Sequence, residues 1–158
     1  MTASATDPGG NGNARPGGTA GGYAGDIAPR QAWDILAAEP AAVLVDVRST
    51  AEWTFVGLPD IRDLGKEPVL IPWQHFPGMT ANAEFVTALR AQVADPAAPI
   101  LFLCRSGGRS RAAAIAGTSA GFSACYNVAG GFEGNLDESG HRGGRDGWKA
   151  DGLPWMQS

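Results

Sequence analysis

Apolar residues along this chain fall into short unbroken runs separated by stretches with helical spacing. Val43-Leu44-Val45-Asp46-Val47 is apolar apart from one acid, and Pro99-Ile100-Leu101-Phe102-Leu103 has no polar position. Runs this short and this apolar suit the central strands of a parallel sheet covered on both faces. Val69-Leu70-Ile71, closed by Pro72, and Ala124 to Val128, followed by Gly130-Gly131, read as further strands. Between them the periodicity changes. Ala32, Trp33, Leu36 and Ala37 behind Pro29 predict a helix over 29–38. Phe85, Val86, Leu89 and Val93 predict a second helix, capped by Asn82 and running to Asp95-Pro96. A third is expected over about 109–120, stopped by Gly121. Ser49-Thr50-Ala51-Glu52 matches the Ser-x-x-Glu capping box, so a brief helix starts there with Trp53 and Phe55 as its apolar contacts. The segment 73–80, with Pro77 and Gly78, reads as a loop.

Strands alternating with helices predict a three-layer, doubly wound α/β domain with a mainly parallel sheet, in which ligands bind beyond the carboxyl ends of the strands. Asp46 and Cys104 both stand at such ends. The 158 residues, 44% of them hydrophobic, support one domain, expected over 26–158. Residues 1–25 contain eight glycines and almost no large apolar side chain, a composition expected of a disordered tail. A net charge of −4 gives no reason to expect nucleic acid or an anionic membrane as partner. No apolar run approaches the length of about 18 residues that a membrane span needs, and no secretory leader is visible. Two cysteines in different strand patterns, at 104 and 125, are too few for a disulfide framework. A soluble cytoplasmic protein is expected.

The chemistry concentrates in Cys104-Arg105-Ser106-Gly107-Gly108-Arg109-Ser110, where a buried strand should turn into a helix. Gly107 and Gly108 let the backbone curl with its N–H groups inward, and the first turn of the next helix adds unpaired N–H groups and partial positive charge. Such a cradle holds an anion. With Cys104 at its centre and Arg105, Arg109 and Arg111 around it, the thiolate is favoured over the thiol, so Cys104 reads as a nucleophile acting on small anions. Cys125, after Phe122-Ser123-Ala124, reads as a core residue instead. Asp46, Arg48 and Glu52 are candidates for a charge network that orients the loop from behind. His75 and His141 lack metal-site spacing, and the tryptophans at 33, 53, 73, 148 and 155 read as core and wall residues.

Four segments together resemble a single-domain rhodanese over about residues 27–155: Leu44-Val45-Asp46-Val47-Arg48 with Glu52-Trp53, the cysteine loop, Tyr126-Asn127-Val128 with Gly130-Gly131, and Gly152-Leu153-Pro154-Trp155. The resemblance implies a doubly covered five-stranded sheet and a sulfurtransferase in which Cys104 takes a sulfane sulfur, becomes a persulfide and gives it to a second nucleophile. It assigns the substrate site to Arg105, Ser106, Gly107, Gly108, Arg109 and Ser110. The partners implied are a small anionic sulfur donor such as thiosulfate and an acceptor that is cyanide-like, a thiol or a partner protein's cysteine; no metal or organic cofactor is needed. Two departures stand out. Val56-Gly57-Leu58-Pro59-Asp60-Ile61 lacks the histidine common there, and residues 131–148 form a long glycine-rich connection, expected to be a solvated loop rather than a flap over the site.

Two main alternatives compete, beside arsenate or peroxide reduction through Cys104 with Cys125 as resolving thiol, which the core reading of Cys125 counts against. Fold relatives that hydrolyse phosphate esters resemble Cys-x5-Arg, whereas only four residues separate Cys104 from Arg109 and Ser110 takes the next position. A loop one residue shorter makes a smaller ring, suited to one sulfur rather than a tetrahedral phosphate. A catalytically silent rhodanese-like module that binds a regulatory partner is the other, and such modules typically lack the cysteine.

Overall fold

The two most apolar runs of the sequence lie side by side at the centre of the structure, a computed structural model that describes residues 22–157. In chain order the elements are β1 (Gly25–Ile27), α1 (Pro29–Ala38), β2 (Val43–Asp46), α2 (Thr50–Phe55), β3 (Leu58–Pro59), a 3-10 turn (Arg62–Leu64), β4 (Val69–Leu70), β5 (Gln74–His75), β6 (Thr80–Ala81), α3 (Phe85–Gln92), β7 (Ile100–Leu103), α4 (Gly108–Ser119), β8 (Cys125–Val128) and β9 (Trp155–Met156). A five-stranded sheet runs in the order β1-β8-β7-β2-β4, with every neighbouring pair parallel. Leu44 is opposite Leu101 and Val45 opposite Phe102, so the pleat sends whole rows of side chains to opposite faces.

Each face meets its own cover. Leu44, Leu101, Leu103 and Val128 pack with Ala32 and Leu36 of α1 and with Phe132 and Trp148. Val45, Phe102, Cys104 and Cys125 pack with Phe85 and Leu89 of α3 and with Ala113 and Ala114 of α4. The expected three-layer α/β architecture is therefore present, and β7, fully buried along its length, is its axis. Among the described residues no helix is long and apolar enough to cross a membrane.

Local signals placed most elements well. Helix α1 has its predicted limits, with Pro29 in its first turn and Gln31 Oε1 accepting from the Ala28 N–H at 2.8 Å. The capping box forms at Ser49 and Glu52: Ser49 Oγ accepts from the Glu52 N–H and Glu52 Oε1 from the Ser49 N–H. Four expectations need correction. Phe55, expected as an apolar contact of α2, is 77% exposed, since this six-residue helix buries none of its side chains. Asn82 does not cap α3 directly; its Oδ1 accepts from the Glu84 N–H, the helix starts at Phe85, and it ends at Gln92. The loop expected over 73–80 contains a two-stranded antiparallel hairpin, β5 with β6, too short to leave a periodic trace in the sequence. The ordered chain also begins before residue 26: Tyr23 and Ala24 are buried, and Gly25 already pairs with Tyr126 across β1 and β8. The remainder of the expected tail, residues 1–21, lies outside the described residues.

Candidate active site

Strand β7 ends at Leu103, and the next residue, Cys104, is seated where β7 hands over to α4. Its side chain is almost wholly buried, with the residue 1% exposed. The Gly107 N–H donates to Sγ at 3.1 Å, and Ser110 Oγ, from the first turn of α4, lies at the same distance. Gly107 takes φ +120°, a conformation that L side chains rarely adopt, and this turn brings its N–H back onto the sulfur. Gly108 differs: it opens α4, shows no such φ, and a Cβ there would meet nothing within 4 Å. Only one of the two glycines is required by the curl. The expected ring of backbone donors is, at the sulfur itself, one N–H and one hydroxyl.

The three arginines divide. Arg109 is held by Glu52 in a two-pronged pair, Nη1 to Oε1 at 2.7 Å and Nη2 to Oε2 at 2.9 Å. Burial pushes the Glu52 carboxyl up, but hydrogen bonds from Arg109 and from the Ser49 N–H outweigh it and hold the group at about 2. The Arg109 charge is thus largely answered from within the protein. Arg111 is exposed and lies over the Tyr23 ring, 5.8 Å from its centroid. Arg105 is exposed and makes no ion pair among the described residues, and Ser106, half-buried, makes no side-chain hydrogen bond among them.

Asp46, Arg48 and Glu52 do not form one network. Arg48 Nε and Nη2 grip Asp46, the closest contact being 2.7 Å, with both side chains fully buried. Arg48 Nη2 also donates to the Gly57 carbonyl at 2.7 Å, and its guanidinium stacks on Phe132, 4.3 Å from the ring centroid. This pair fastens the end of β2 to the chain before β3. Glu52, by contrast, reaches the cysteine loop through Arg109.

The segment expected to be a solvated loop proves to be part of the site's foundation at its two ends. Phe132 N–H donates to the Cys104 carbonyl at 2.8 Å, and the Glu133 and Gly134 N–H groups both donate to the Arg105 carbonyl at 3.0 Å. At Gly131 a Cβ would stand 2.5 Å from Cys104 O, so only glycine lets the two backbones meet. The far end returns through Gly147 to Trp148, which is fully buried and donates Nε1 to the Pro154 carbonyl at 2.7 Å. Only the middle, around 135–145, is largely exposed.

Asn127 has no role in the sequence reading beyond its place in the strand Tyr126-Asn127-Val128. It is 4% exposed, its Oδ1 lies 2.5 Å from Ser110 Oγ, and its Nδ2 donates to Asp26 at 3.0 Å. An amide in the middle of a strand buried on both faces was the available signal. Cys125 is fully buried at the other end of the sheet, and burial pushes its thiol up to about 11, with the Thr118 hydroxyl bond opposing. A recess of about 240 Å³ between Arg90, Val93, Pro96 and Phe122 also lies at that end and brings no second ionisable side chain beside Arg90.

Comparison with known proteins gives the family and the fold. A family model described as the STR4 middle domain matches residues 24–158. The chain belongs to that family. The crystal structure of Rv0390 from M. tuberculosis is 52% identical and superposes with a TM-score of 0.79, over 86% of this chain and 99% of that one. A chloroplast protein of Oryza sativa subsp. indica named thylakoid rhodanese-like is 30% identical over 132 residues, which is 83% of this chain and 25% of that protein. The solution structure of the polysulfide-sulfur transferase homodimer from Wolinella succinogenes, 22% identical, has a TM-score of 0.56 over 84% of this chain and 78% of that one. That last likeness concerns the fold. This STR4 middle-domain family member has a rhodanese-like α/β fold, with Cys104 at the carboxyl edge of its central strand.

Proposed function

We propose that this rhodanese-like protein is a sulfurtransferase that carries sulfane sulfur on Cys104. The observation that carries the reading is the seat of Cys104 Sγ, 3.1 Å from both the Gly107 N–H and the Ser110 hydroxyl at the start of α4. Donors aimed at a sulfur stabilise negative charge on it, and the helix N-terminus adds to the same field. In the first half-reaction the Cys104 thiolate attacks the outer sulfur of an anionic donor such as thiosulfate. A new S–S bond forms, the donor's S–S bond breaks, sulfite leaves with the electron pair, and Cys104 becomes a persulfide anion. In the second, a cyanide or thiolate acceptor takes the outer sulfur, and the S–S pair returns to Sγ as thiolate.

Arg105 supplies the free positive charge that draws in the donor, because Arg109 is already committed to Glu52. Arg109 works as a brace: pulled by Glu52, it fixes the start of α4 and with it the direction of Ser110. This arrangement also argues against a phosphatase, whose loop arginine must be free to wrap a phosphate. It favours turnover over a silent partner-binding module, since thiol, hydroxyl and amide are all aligned. The test is intact and peptide mass after incubation with thiosulfate. One added sulfur is expected on the peptide holding Cys104 and none on that holding Cys125; an unlabelled Cys104 overturns the proposal.

A further inference from the structure

We propose that Asp26 and Asn127 are positioning residues that govern which way the Ser110 hydroxyl points, and through it how readily Cys104 ionises. The inference deepens the reading of Cys104 as the sulfur-bearing nucleophile and takes its functional meaning from it. Ser110 Oγ lies between two neighbours, Cys104 Sγ at 3.1 Å and Asn127 Oδ1 at 2.5 Å. A hydroxyl has a single proton, so it cannot donate to both.

The amide's orientation is fixed from its other side. Asn127 Nδ2 donates to Asp26 Oδ1 at 3.0 Å, and the Tyr23 hydroxyl donates to the same oxygen at 2.7 Å. An ionised carboxylate only accepts, so the amide N–H must face Asp26 and the amide oxygen must face Ser110. The contact is built into the sheet, since Asp26 and Asn127 are direct partners in the β1–β8 ladder. Asn127 also sits close under the turn of the loop, its Nδ2 3.8 Å from where a Cβ on Gly107 would be.

With Cys104 as a thiol every group is satisfied: S–H donates to Ser110 Oγ, Ser110 to Asn127, and Asn127 to Asp26. A thiolate has no proton to give. The Ser110 hydroxyl then swings to Sγ, and Asn127 Oδ1, in a site where Ser110 is fully buried, loses its donor and faces an oxygen lone pair. A buried acceptor left unsatisfied opposes that change. In the persulfide the charge moves to the outer sulfur, Sγ no longer competes for the proton, and the Ser110–Asn127 bond re-forms. The relay therefore restrains the empty thiolate and accommodates the loaded cysteine.

The other charged groups about the thiol are Arg109 of α4 with Glu52 of α2, the Asp46–Arg48 pair at and just beyond the end of β2, and Arg105 in the loop; beyond Asn127 stand Asp26, Tyr23 and, over Tyr23, Arg111. Asp26→Ala and Asn127→Leu leave all of the first set in place.

The test is the ultraviolet thiolate absorbance of the whole protein against pH, taken as the difference from Cys104→Ser, with iodoacetamide alkylation rates in parallel. Asp26→Ala and Asn127→Leu should each raise the thiolate fraction at a given pH roughly fivefold, the equivalent of one net hydrogen bond. In a Ser110→Ala background Asp26→Ala should have no such effect, which separates hydroxyl direction from loss of a nearby negative charge. Unchanged or reduced ionisation in the single variants, or an Asp26→Ala effect that persists without the Ser110 hydroxyl, overturns the inference. The titration reads Cys104 whether or not sulfur is transferred, so failed persulfide formation beside the expected titrations would count against the proposed function alone.

Discussion

Cys104 and Cys125 stand at opposite ends of two neighbouring parallel strands, one after the last residue of β7 and the other at the first residue of β8. Both are buried, at 1% and 0% exposure, so burial does not distinguish them. Their neighbours do. Around Cys104 are a backbone N–H, a hydroxyl and the first turn of a helix; Cys125, packed beside Gly117, has the Thr118 hydroxyl and a distant carbonyl contact, Phe122 O at 3.9 Å, with no backbone N–H and no helix start, and burial outweighs the hydroxyl. The two thiols differ in the polar groups carried into the interior with them, and in general an apolar wall penalises a thiolate whereas a donor set supports it.

Exchanging each sulfur for oxygen tests the contrast most severely. Cys104→Ser should abolish transfer from thiosulfate to cyanide with the fold retained, because a hydroxyl is a far poorer nucleophile than a thiolate. Cys125→Ser should keep the turnover and lower stability by about 1–3 kcal/mol, as a hydroxyl enters an apolar site. Steady-state assay and thermal melting read the two arms; comparable activity losses in both would erase the distinction.

A glycine abuts each cysteine, and alanine at each probes what it holds. At Gly131 the new Cβ meets the Cys104 and Arg105 backbone at 2.5 and 2.6 Å, so Gly131→Ala must displace the loop and should remove most of the activity. At Gly117 the contact is Cys125 Sγ at 2.9 Å, and Gly117→Ala should overpack the α4–β8 interface by about 1–3 kcal/mol with the cysteine loop in place. Activity lost in Gly117→Ala out of proportion to stability would show that the two ends communicate.

Acid should act on one end selectively. Glu52 is held at about 2 against an ordinary 4.5, so its contribution is fully present above about pH 4.5 and is lost as pH falls toward 2, when the unfolded chain takes up the proton first. The loss is at most about 3 kcal/mol, and Glu52→Gln should remove most of the wild type's excess stability between those pH values. Equal pH dependence of the two proteins, measured by denaturant unfolding, would place the acid sensitivity elsewhere. The smallest effect is expected at Gly108, whose backbone is ordinary and whose Cβ position is open. Gly108→Ala should be neutral or stabilise by about 0.5 kcal/mol, and a marked loss of activity there would restore the requirement for two flexible glycines.

Features specified within a few residues were legible in the chain. The runs at 43–47 and 100–103 declared two central strands because a strand covered on both faces has no polar side. The capping box at Ser49 is a local exchange of hydrogen bonds and formed as read. Cys104, Gly107 and Ser110 came together because strand end, turn and first helical turn are contiguous in sequence.

What the sequence could not rank was the partner of each charge. Glu52 had a local use as a capping residue, and only the fold brings it to Arg109, 57 residues away, so that this cation is paired within the protein. Asp26 and Asn127 lie 101 residues apart, and their contact exists only through the β1–β8 register. The backing of the cysteine loop by Phe132, Glu133 and Gly134 likewise follows from the path of the chain after β8. The layered α/β domain and the place of the thiol are written along the chain, because apolar period and turn chemistry act over a few residues. Which donors and charges face that thiol depends on the folded arrangement, because electrostatic and hydrogen-bond partners are chosen by proximity in space.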